Sequence, residues 1–147
     1  MSIQIRPAAA TDRAAWGALY AAYAEFYQVT QTEAMRDRVW DWVMDDGHSV
    51  TGLVAEGATG LIGIAHVREF ARPLAAATGG YLDDLYVDPG ARGGGAADAL
   101  IDAARALGVA RGWGVIRWIT AEDNARARKV YDRMAAKTGW VTYDLLV

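Results

Sequence analysis

The residues with the clearest chemical potential lie between Leu82 and Leu100, where the sequence reads LDDLYVDPGARGGGAADAL. An apolar and aromatic segment ends at the turn Asp88–Gly90 and is followed by one cation, Arg92, and three glycines at 93–95. A run with helical periodicity begins directly after the glycines. Glycine has no Cβ, so its backbone can approach a ligand closely, and a helix N-terminus attracts anions. The segment therefore predicts a cradle for a phosphate or pyrophosphate group.

The spacing of the glycines separates this cradle from other glycine-rich motifs. No lysine follows the glycines, so the phosphate-binding pattern GxxxxGK[ST] is absent from the sequence, and Asp98 stands where a dinucleotide fingerprint GxGxxG needs its third glycine. Arg92, Gly95 and Ala97 do fit Arg-x-x-Gly-x-Ala. That pattern resembles the acetyl-CoA-binding motif of the GNAT superfamily of N-acetyltransferases, (Gln/Arg)-x-x-Gly-x-(Gly/Ala). On this loop alone, a plain glycine-rich turn before a helix explains the pattern equally well.

A second motif in the C-terminal third strengthens the resemblance. The superfamily's closing segment commonly reads Asn-x-x-Ala-x-x-Leu-Tyr, followed by a glycine–aromatic pair. Here Asn124, Ala127, Val130 and Tyr131 take these positions, and Gly139–Trp140 follows. Valine in place of leucine keeps its position apolar. Two independent motifs in the right order favour the family over coincidence; the motif resemblance covers about residues 80–147, and the first half agrees only in the order of its elements.

The resemblance implies acetyl-CoA as co-substrate and no metal. It places the pyrophosphate on the backbone amides of residues 93–97, with Arg92 beside them, and the pantetheine arm along the preceding strand. This implies a bulge or splay between the strands predicted at 81–87 and 115–120, so that backbone groups are left free to bind the arm. Asn124 either caps its helix or contacts the pantetheine amide. The implied cofactor-binding residues are Leu85, Tyr86, Val87, Arg92, Gly93, Gly94, Gly95, Ala96, Ala97 and Asn124.

Two neighbouring carboxylates are candidates for the general base. An alkylamine is almost entirely protonated at neutral pH, so direct attack on a thioester needs a proton acceptor. Strand alternation predicts Asp83 on one face with Leu85, and Asp84 on the other face with Leu82 and Tyr86. The segment resembles the Leu-Glu-Asp-aromatic-aromatic-Val stretch of diamine acetyltransferases, whose glutamate acts as base through water. This implies Asp83 as base, with a bridging water; the alternative is a solvated or structural acid.

The resemblance also suggests an acid and an acceptor pocket. Tyr131 fits the group that protonates the departing thiolate, and a core tyrosine is the alternative. Tyr23, Glu25, Tyr27 and Asp84 are the predicted substrate-binding residues, because aromatic rings and carboxylates hold cations. Aromatic residues at helical spacing are also typical of a plain core. The expected acceptor is a small cationic amine, and a protein lysine or N-terminus and a non-catalytic acyl-CoA-binding module of the same fold are the alternatives.

Composition limits the class of protein. A chain of 147 residues suits one domain over residues 1–147. Zero cysteines exclude thiolate metal sites, and the two histidines are isolated, so no metal is expected. His66, in a predicted strand, is interpreted as an ordinary buried or edge histidine rather than a residue of the cleft. Net charge −3 and a pI near 5.3 argue against a nucleic-acid partner. With neither a long apolar run nor a basic-then-apolar leader, we expect no membrane association and a cytoplasmic protein.

The predicted fold is α/β, with the element order β-α-α-β-β-β-α-β-α-β of the GNAT superfamily. It consists of a mixed, mostly antiparallel sheet with a central parallel, splayed strand pair, flanked by helices. Thr11 and Thr32 are predicted caps of the first two helices, and 72–79 a loop. The predicted strands are 2–6, 49–55, 61–70, 81–87, 115–120 and 140–146, and the later helices are 95–110 and 125–136. The apolar last strand predicts a homodimer.

Overall fold

One mixed sheet flanked by four helices forms the fold. The computed structural model describes residues 2–147. The strands are β1 Gln4–Pro7, β2 Val50–Gly57, β3 Gly60–Arg72, β4 Ala77–Val87 and β5 Ile116–Arg117, and the helices are α1 Arg13–Phe26, α2 Glu33–Met44, α3 Ala96–Arg111 and α4 Ala125–Met134. The sheet order is β1-β2-β3-β4-β5, and only β4 and β5 are parallel. The predicted fold class is confirmed.

The two faces of the sheet carry separate cores because β2 and β3 are buried on both sides. On one face, α3 packs over a cluster that includes Val67, Leu82 and Leu100. On the other, Trp16 of α1 packs with Val54, Ile64 and Tyr86. No helix within residues 2–147 has the length and apolar character that a bilayer crossing requires.

The predicted splay is present between β4 and β5. Only Gly80 with Ile116 and Tyr81 with Arg117 pair across the two strands. Beyond Tyr81, β4 keeps its pairing to β3, and within residues 2–147 no strand pairs with its other edge. Backbone N–H and C=O groups along the second half of β4 are therefore available to an extended ligand.

A β-bulge at Asp83 changes which side chains share a face. In the β3–β4 ladder, Leu82 faces Val67 and Asp84 faces His66, so Asp83 is the extra residue of β4. Leu82 therefore packs on the α3 side of the sheet, whereas Asp84 turns towards α1. The prediction that these two residues share one face is wrong, because the bulge interrupts strict alternation.

The C-terminal segment differs most from the sequence-based prediction. Residues 140–146 form no strand, and Trp140, Tyr143 and Leu146 are almost fully exposed. The sixth strand expected there does not pair with β5, so β5 forms the edge of the sheet and the parallel pair lies at that edge. Its backbone groups have no neighbour on that side among residues 2–147.

Smaller corrections concern turns and caps. The predicted loop 72–79 is the tip of a long hairpin: β3 runs to Arg72, a short 3-10 turn covers Pro73–Ala75, and β4 begins at Ala77. Thr11 lies in another 3-10 turn and does not cap α1. Thr32 does cap α2, because its Oγ1 accepts a hydrogen bond from the Met35 N–H at 3.2 Å. The fifth strand is shorter than predicted because the splay ends its pairing.

Candidate active site

The glycine loop has the geometry of an anion cradle. Gly95 is the N-cap residue of α3 with φ of +90°, and Gly93 has φ of +86°, so both adopt the left-handed conformation that favours glycine. A Cβ placed on either residue would meet no atom within 4 Å. Open space thus lies directly before the first turn of a 16-residue helix, whose N–H groups lack intrahelical partners. These residues fit a pyrophosphate.

The charges around the cradle are compatible with an anion. Arg92 lies beside the loop, with its guanidinium carbon 6.0 Å from the ring centre of Tyr86. Asp98, in the first turn of α3, is held by both terminal nitrogens of Arg133 at 2.8 and 3.1 Å. The arginine lowers the pKa of Asp98 and cancels its charge near the helix N-terminus.

The closing motif is placed beside the splayed edge by α4. Asn124 caps this helix, since its Oδ1 accepts a hydrogen bond from the Ala127 N–H at 3.3 Å. Tyr131, two turns later, packs on Trp118 with ring centres 5.4 Å apart and contacts the α3-side core. Burial, with a smaller contribution from nearby Tyr27, raises the pKa of Tyr131 to about 12. The phenol therefore keeps its proton at every physiological pH.

A mostly buried hydrogen-bond network links Asp84 of β4 to side chains of α1 and β3. The Oδ2 of Asp84 lies 2.8 Å from His66 Nδ1 and accepts a second hydrogen bond, also 2.8 Å, from the Tyr20 hydroxyl. The indole N–H of Trp16 donates to His66 Nε2 at 2.9 Å. Trp16 is fully buried and His66 is 2% exposed, whereas the Asp84 side chain keeps 19% exposure. The network thus leads from the core to an accessible carboxylate.

The network determines the charge of Asp84. Burial would raise the pKa of this carboxyl, but the hydrogen bond and the charge interaction with His66, followed by hydrogen bonds from Tyr20 and Tyr23, outweigh that effect, and the pKa is lowered. Burial and the charge of Asp84 raise the pKa of both tyrosines, so both hydroxyls remain donors. Asp84 is consequently ionised at neutral pH.

An aromatic cluster, defined as Tyr20, Tyr23, Tyr27 and Tyr86, extends from this carboxylate. The ring centre of Tyr23 lies 6.2 Å from Tyr20, 5.0 Å from Tyr27 and 5.9 Å from Tyr86. Three of the four predicted substrate residues, Tyr23, Tyr27 and Asp84, are therefore brought together. Because Tyr27 also raises the pKa of Tyr131, the cluster extends from the carboxylate of Asp84 to the predicted acid, Tyr131.

Glu25 and Asp83 have different surroundings. Glu25 is exposed on another face of α1 and lines a shallow hollow with Gln28 and Arg36, so the structure does not bring it to the aromatic cluster. Asp83, on the bulge, accepts a hydrogen bond from Arg68 Nε at 2.9 Å. Burial raises the pKa of Asp83, and Arg68 opposes this effect only in part.

Sequence reasoning missed the roles of Trp16 and His66. His66 is buried, as expected, but its hydrogen bonds to Trp16 and Asp84 were not predicted. Strand alternation gave no means of pairing His66 with Asp84, because their register depends on the bulge at Asp83. The available signal was the spacing of Trp16, Tyr20 and Tyr23, which places polar aromatic atoms on one face of α1.

Comparison with known proteins identifies the class to which this fold and site belong. Residues 16–136 match the family model described as the acetyltransferase (GNAT) family. The chain therefore belongs to the GNAT family of acetyltransferases, as its two motifs predicted.

Solved structures share the fold over the whole chain. One is a ribosomal-protein-alanine N-acetyltransferase from Brucella melitensis biovar Abortus 2308, with TM-score 0.83, 22% identity and 100% of both chains covered. Another is the aminoglycoside acetyltransferase HMB0005 from an uncultured soil metagenomic sample, with TM-score 0.79, 23% identity, and 100% and 99% covered. A third is the aminoglycoside acetyltransferase meta-AAC0020 from such a sample, in complex with sisomicin, with TM-score 0.80, 14% identity, and 99% and 96% covered. At these identities the likeness is one of fold.

Proposed function

We propose that this GNAT-family protein transfers the acetyl group of acetyl-CoA to a primary amine on a small cationic molecule. Acyl transfer is the activity of the family; the acceptor is the new element. The observation that carries it is Asp84, a partly accessible carboxylate that is held by His66 and Tyr20 and forms no ion pair with an arginine or lysine of residues 2–147, at one end of the aromatic cluster. A carboxylate bordered by phenol rings favours an ammonium group over a carboxylate-bearing acceptor.

The cradle and the free edge of β4 would hold acetyl-CoA. The N–H groups of residues 93–97 and the guanidinium of Arg92 suit the pyrophosphate. Backbone groups at Leu85 and Val87, on the splayed half of β4, suit the pantetheine amides. Bound acetyl-CoA supplies the thioester carbon that the amine attacks. The protein contributes by orienting both reactants and by providing donors where charge develops.

Asp83 is the better candidate for the base of the two adjacent acids. The lowered pKa of Asp84 makes it a weak proton acceptor, whereas the pKa of Asp83 is raised by burial. A carboxylate with a raised pKa accepts a proton more readily. Asp83 lies on the bulge next to Asp84, so a water between Asp83 and the amine completes the path. The carboxylate of Asp83, which accepts a hydrogen bond from Arg68, then also contacts that water.

Tyr131 is proposed as the donor to the leaving sulfur. Its pKa of about 12 ensures that the proton is present throughout the working range. A thiol has a pKa near 8.5, about 3.5 below that of this phenol, so complete proton transfer is uphill even to the fully formed thiolate. Tyr131 therefore contributes as a hydrogen-bond donor whose bond strengthens as the thiolate forms, and the thiolate is released and protonated by solvent.

We further propose a homodimer that forms through the C-terminal segment, residues 135–147. Trp140, Val141, Tyr143 and Leu145 are each at least 74% exposed, which is unfavourable for a monomer in water. The edge of β5 offers backbone groups that an extended segment can pair with. One chain thus presents both an unpaired edge and an unburied apolar segment, and a second copy satisfies both.

Release of the CoA thiol in the presence of candidate amines tests the activity. The acceptors to compare are a diamine, free lysine, an aminoglycoside and a peptide with a free N-terminus. Release that depends on a small cationic amine, with the acetylated product seen by mass spectrometry, supports the proposal. Turnover of the peptide alone would favour a protein acetyltransferase instead. Acetyl-CoA binding without turnover of any amine would indicate a non-catalytic acyl-CoA-binding module.

A further inference from the structure

The chain Trp16–His66–Asp84 is a buried feature that the proposed acetyl transfer leaves unexplained. An indole N–H is only a donor, so the His66 Nε2 that it contacts at 2.9 Å must be an unprotonated acceptor. The ring proton of a neutral imidazole then resides on Nδ1, which donates to Asp84 Oδ2 at 2.8 Å. Trp16 thus fixes both the tautomer and the neutral state of His66, since a second ring proton would oppose the indole N–H.

Asp84 differs in this respect from the other paired aspartates of residues 2–147. Asp12, Asp37, Asp83 and Asp98 each face an arginine, which cancels their charge. Asp84 instead faces the His66 ring of β3, which the Trp16 contact holds neutral, and the Tyr20 hydroxyl of α1. Neutral donors orient a carboxylate and keep it ionised, but they add no positive charge. The site therefore retains a full negative charge in a largely buried position, where it interacts strongly with a cation.

We propose that Trp16 and His66 are positioning residues that hold Asp84 as an uncancelled anion, and that the ammonium group of the acceptor binds to the accessible part of this carboxylate. The proposal rests on the proposed acetylation of a cationic amine. The bonds from His66 and Tyr20 both end on Oδ2. Neither of these two donors occupies Oδ1. Asp83, next in the chain, is the closest other acid, and its own charge is paired with Arg68.

The tautomer can be measured without any activity. Two-bond proton–nitrogen correlation spectra of the wild-type protein at neutral pH should show His66 as a neutral ring protonated on Nδ1. The chain has only two histidines, so a His48→Gln variant assigns the signals. An imidazolium ring, or a neutral ring protonated on Nε2, would overturn the positioning chain.

A matched pair of variants tests whether His66 acts through its donor. Both variants are made in a Trp16→Phe background, so that replacing His66 leaves no indole N–H without an acceptor. His66→Asn keeps an amide donor near the position of Nδ1, whereas His66→Leu removes the donor. The leucine variant should raise the KM for a diamine by about tenfold or more relative to the asparagine variant, because a hydrogen bond to a charged group is lost. The KM for acetyl-CoA should be unchanged in both. Equal diamine KM values would contradict the proposal.

Tyr20→Phe provides an independent variant if the His66→Leu protein does not fold. It removes one donor to Asp84 Oδ2 at the partly exposed end of the network and keeps the ring. A selective rise of severalfold in the diamine KM supports the proposal, and an unchanged value contradicts it. The proposed function would be contradicted separately, by a wild-type protein that acetylates no cationic amine. In that case the nitrogen spectra would still test whether His66 is a neutral ring protonated on Nδ1.

Discussion

Substitution of Gly95 by alanine should separate the role of the loop in ligand binding from its role in folding. Gly95 and Gly112 are the two caps of α3, with φ of +90° and +74°, and in each a new Cβ would meet no atom within 4 Å. Alanine in a left-handed conformation costs about 1–2 kcal/mol. Gly95→Ala and Gly112→Ala should therefore lower the free energy of unfolding by similar amounts. Gly112 is thus a matched control for backbone strain.

The two variants should differ in acetyl-CoA binding. The new methyl group of Gly95→Ala enters the space before the first turn of α3, where the pyrophosphate would accept backbone hydrogen bonds. Loss of one bond to a charged acceptor costs about 1.5–3 kcal/mol, which corresponds to roughly 10- to 100-fold weaker binding. Gly112, at the opposite end of the helix, should leave the affinity unchanged.

Thermal unfolding with and without acetyl-CoA measures this difference. At a ligand concentration about 100 times the wild-type Kd, binding stabilises the protein by about 2.7 kcal/mol, or roughly 5–10 °C in Tm for a chain of this size. A tenfold weaker variant keeps only about half of that stabilisation. We expect the reduced ligand-induced shift in Gly95→Ala alone. Equal shifts in the two variants would refute the assignment of the cradle.

Four further predictions follow from the site and its surroundings. Tyr131→Phe should lower kcat by about 100-fold with acetyl-CoA affinity unchanged, and an unaffected kcat would show that Tyr131 has only a structural role. Because the pKa of Tyr131 is about 12, the activity of the wild-type protein should not decline up to pH 10 through ionisation of this residue. Asp83→Asn should reduce the rate at pH 7 more than at pH 9, where more amine is neutral, and equal loss at both would exclude it as base. The pKa of Asp12 is lowered by Arg6, so its pairing stabilises the fold above the unfolded pKa of about 3.9 and this stabilisation is lost as pH falls through the lowered folded-state pKa. Asp12→Asn should cost about 2 kcal/mol at pH 7 in denaturant unfolding, and the cost should fall progressively as pH is lowered below about 3.9. Light scattering should give twice the 15.8 kDa chain mass, and Leu145→Asp should give the monomer; a monomeric wild type would exclude the dimer.

The cradle and the closing motif were predictable because local rules determine them. Positive φ at Gly93 and Gly95 needs glycine, and Asn124 caps the helix that follows it, so residue types reveal the geometry. Thr32 was likewise predictable as the cap of α2 from its residue type and position. Such features depend on a few neighbouring residues, and a single sequence contains that information.

The acceptor site was less predictable because it depends on register between distant segments. The bulge at Asp83 turns Asp84 towards His66 and α1, and strict alternation cannot reveal it. The apolar residues 140–146 favour a strand by composition, yet a strand needs a partner edge, and within the described chain they find none. Local strand propensity does not show whether a partner edge exists, either in the same chain or in a second copy.

The most direct test of the central claim compares two acceptors that differ in one charge. Cadaverine and its analogue in which a carboxylate replaces one ammonium group offer the same reactive amine on the same carbon chain. Because Asp84 is a partly accessible carboxylate with no arginine or lysine partner among residues 2–147, thiol release from acetyl-CoA should show a kcat/KM for cadaverine that is at least about tenfold higher. Equal or faster release with the carboxylate-bearing analogue would contradict the claim that this site selects a cationic amine.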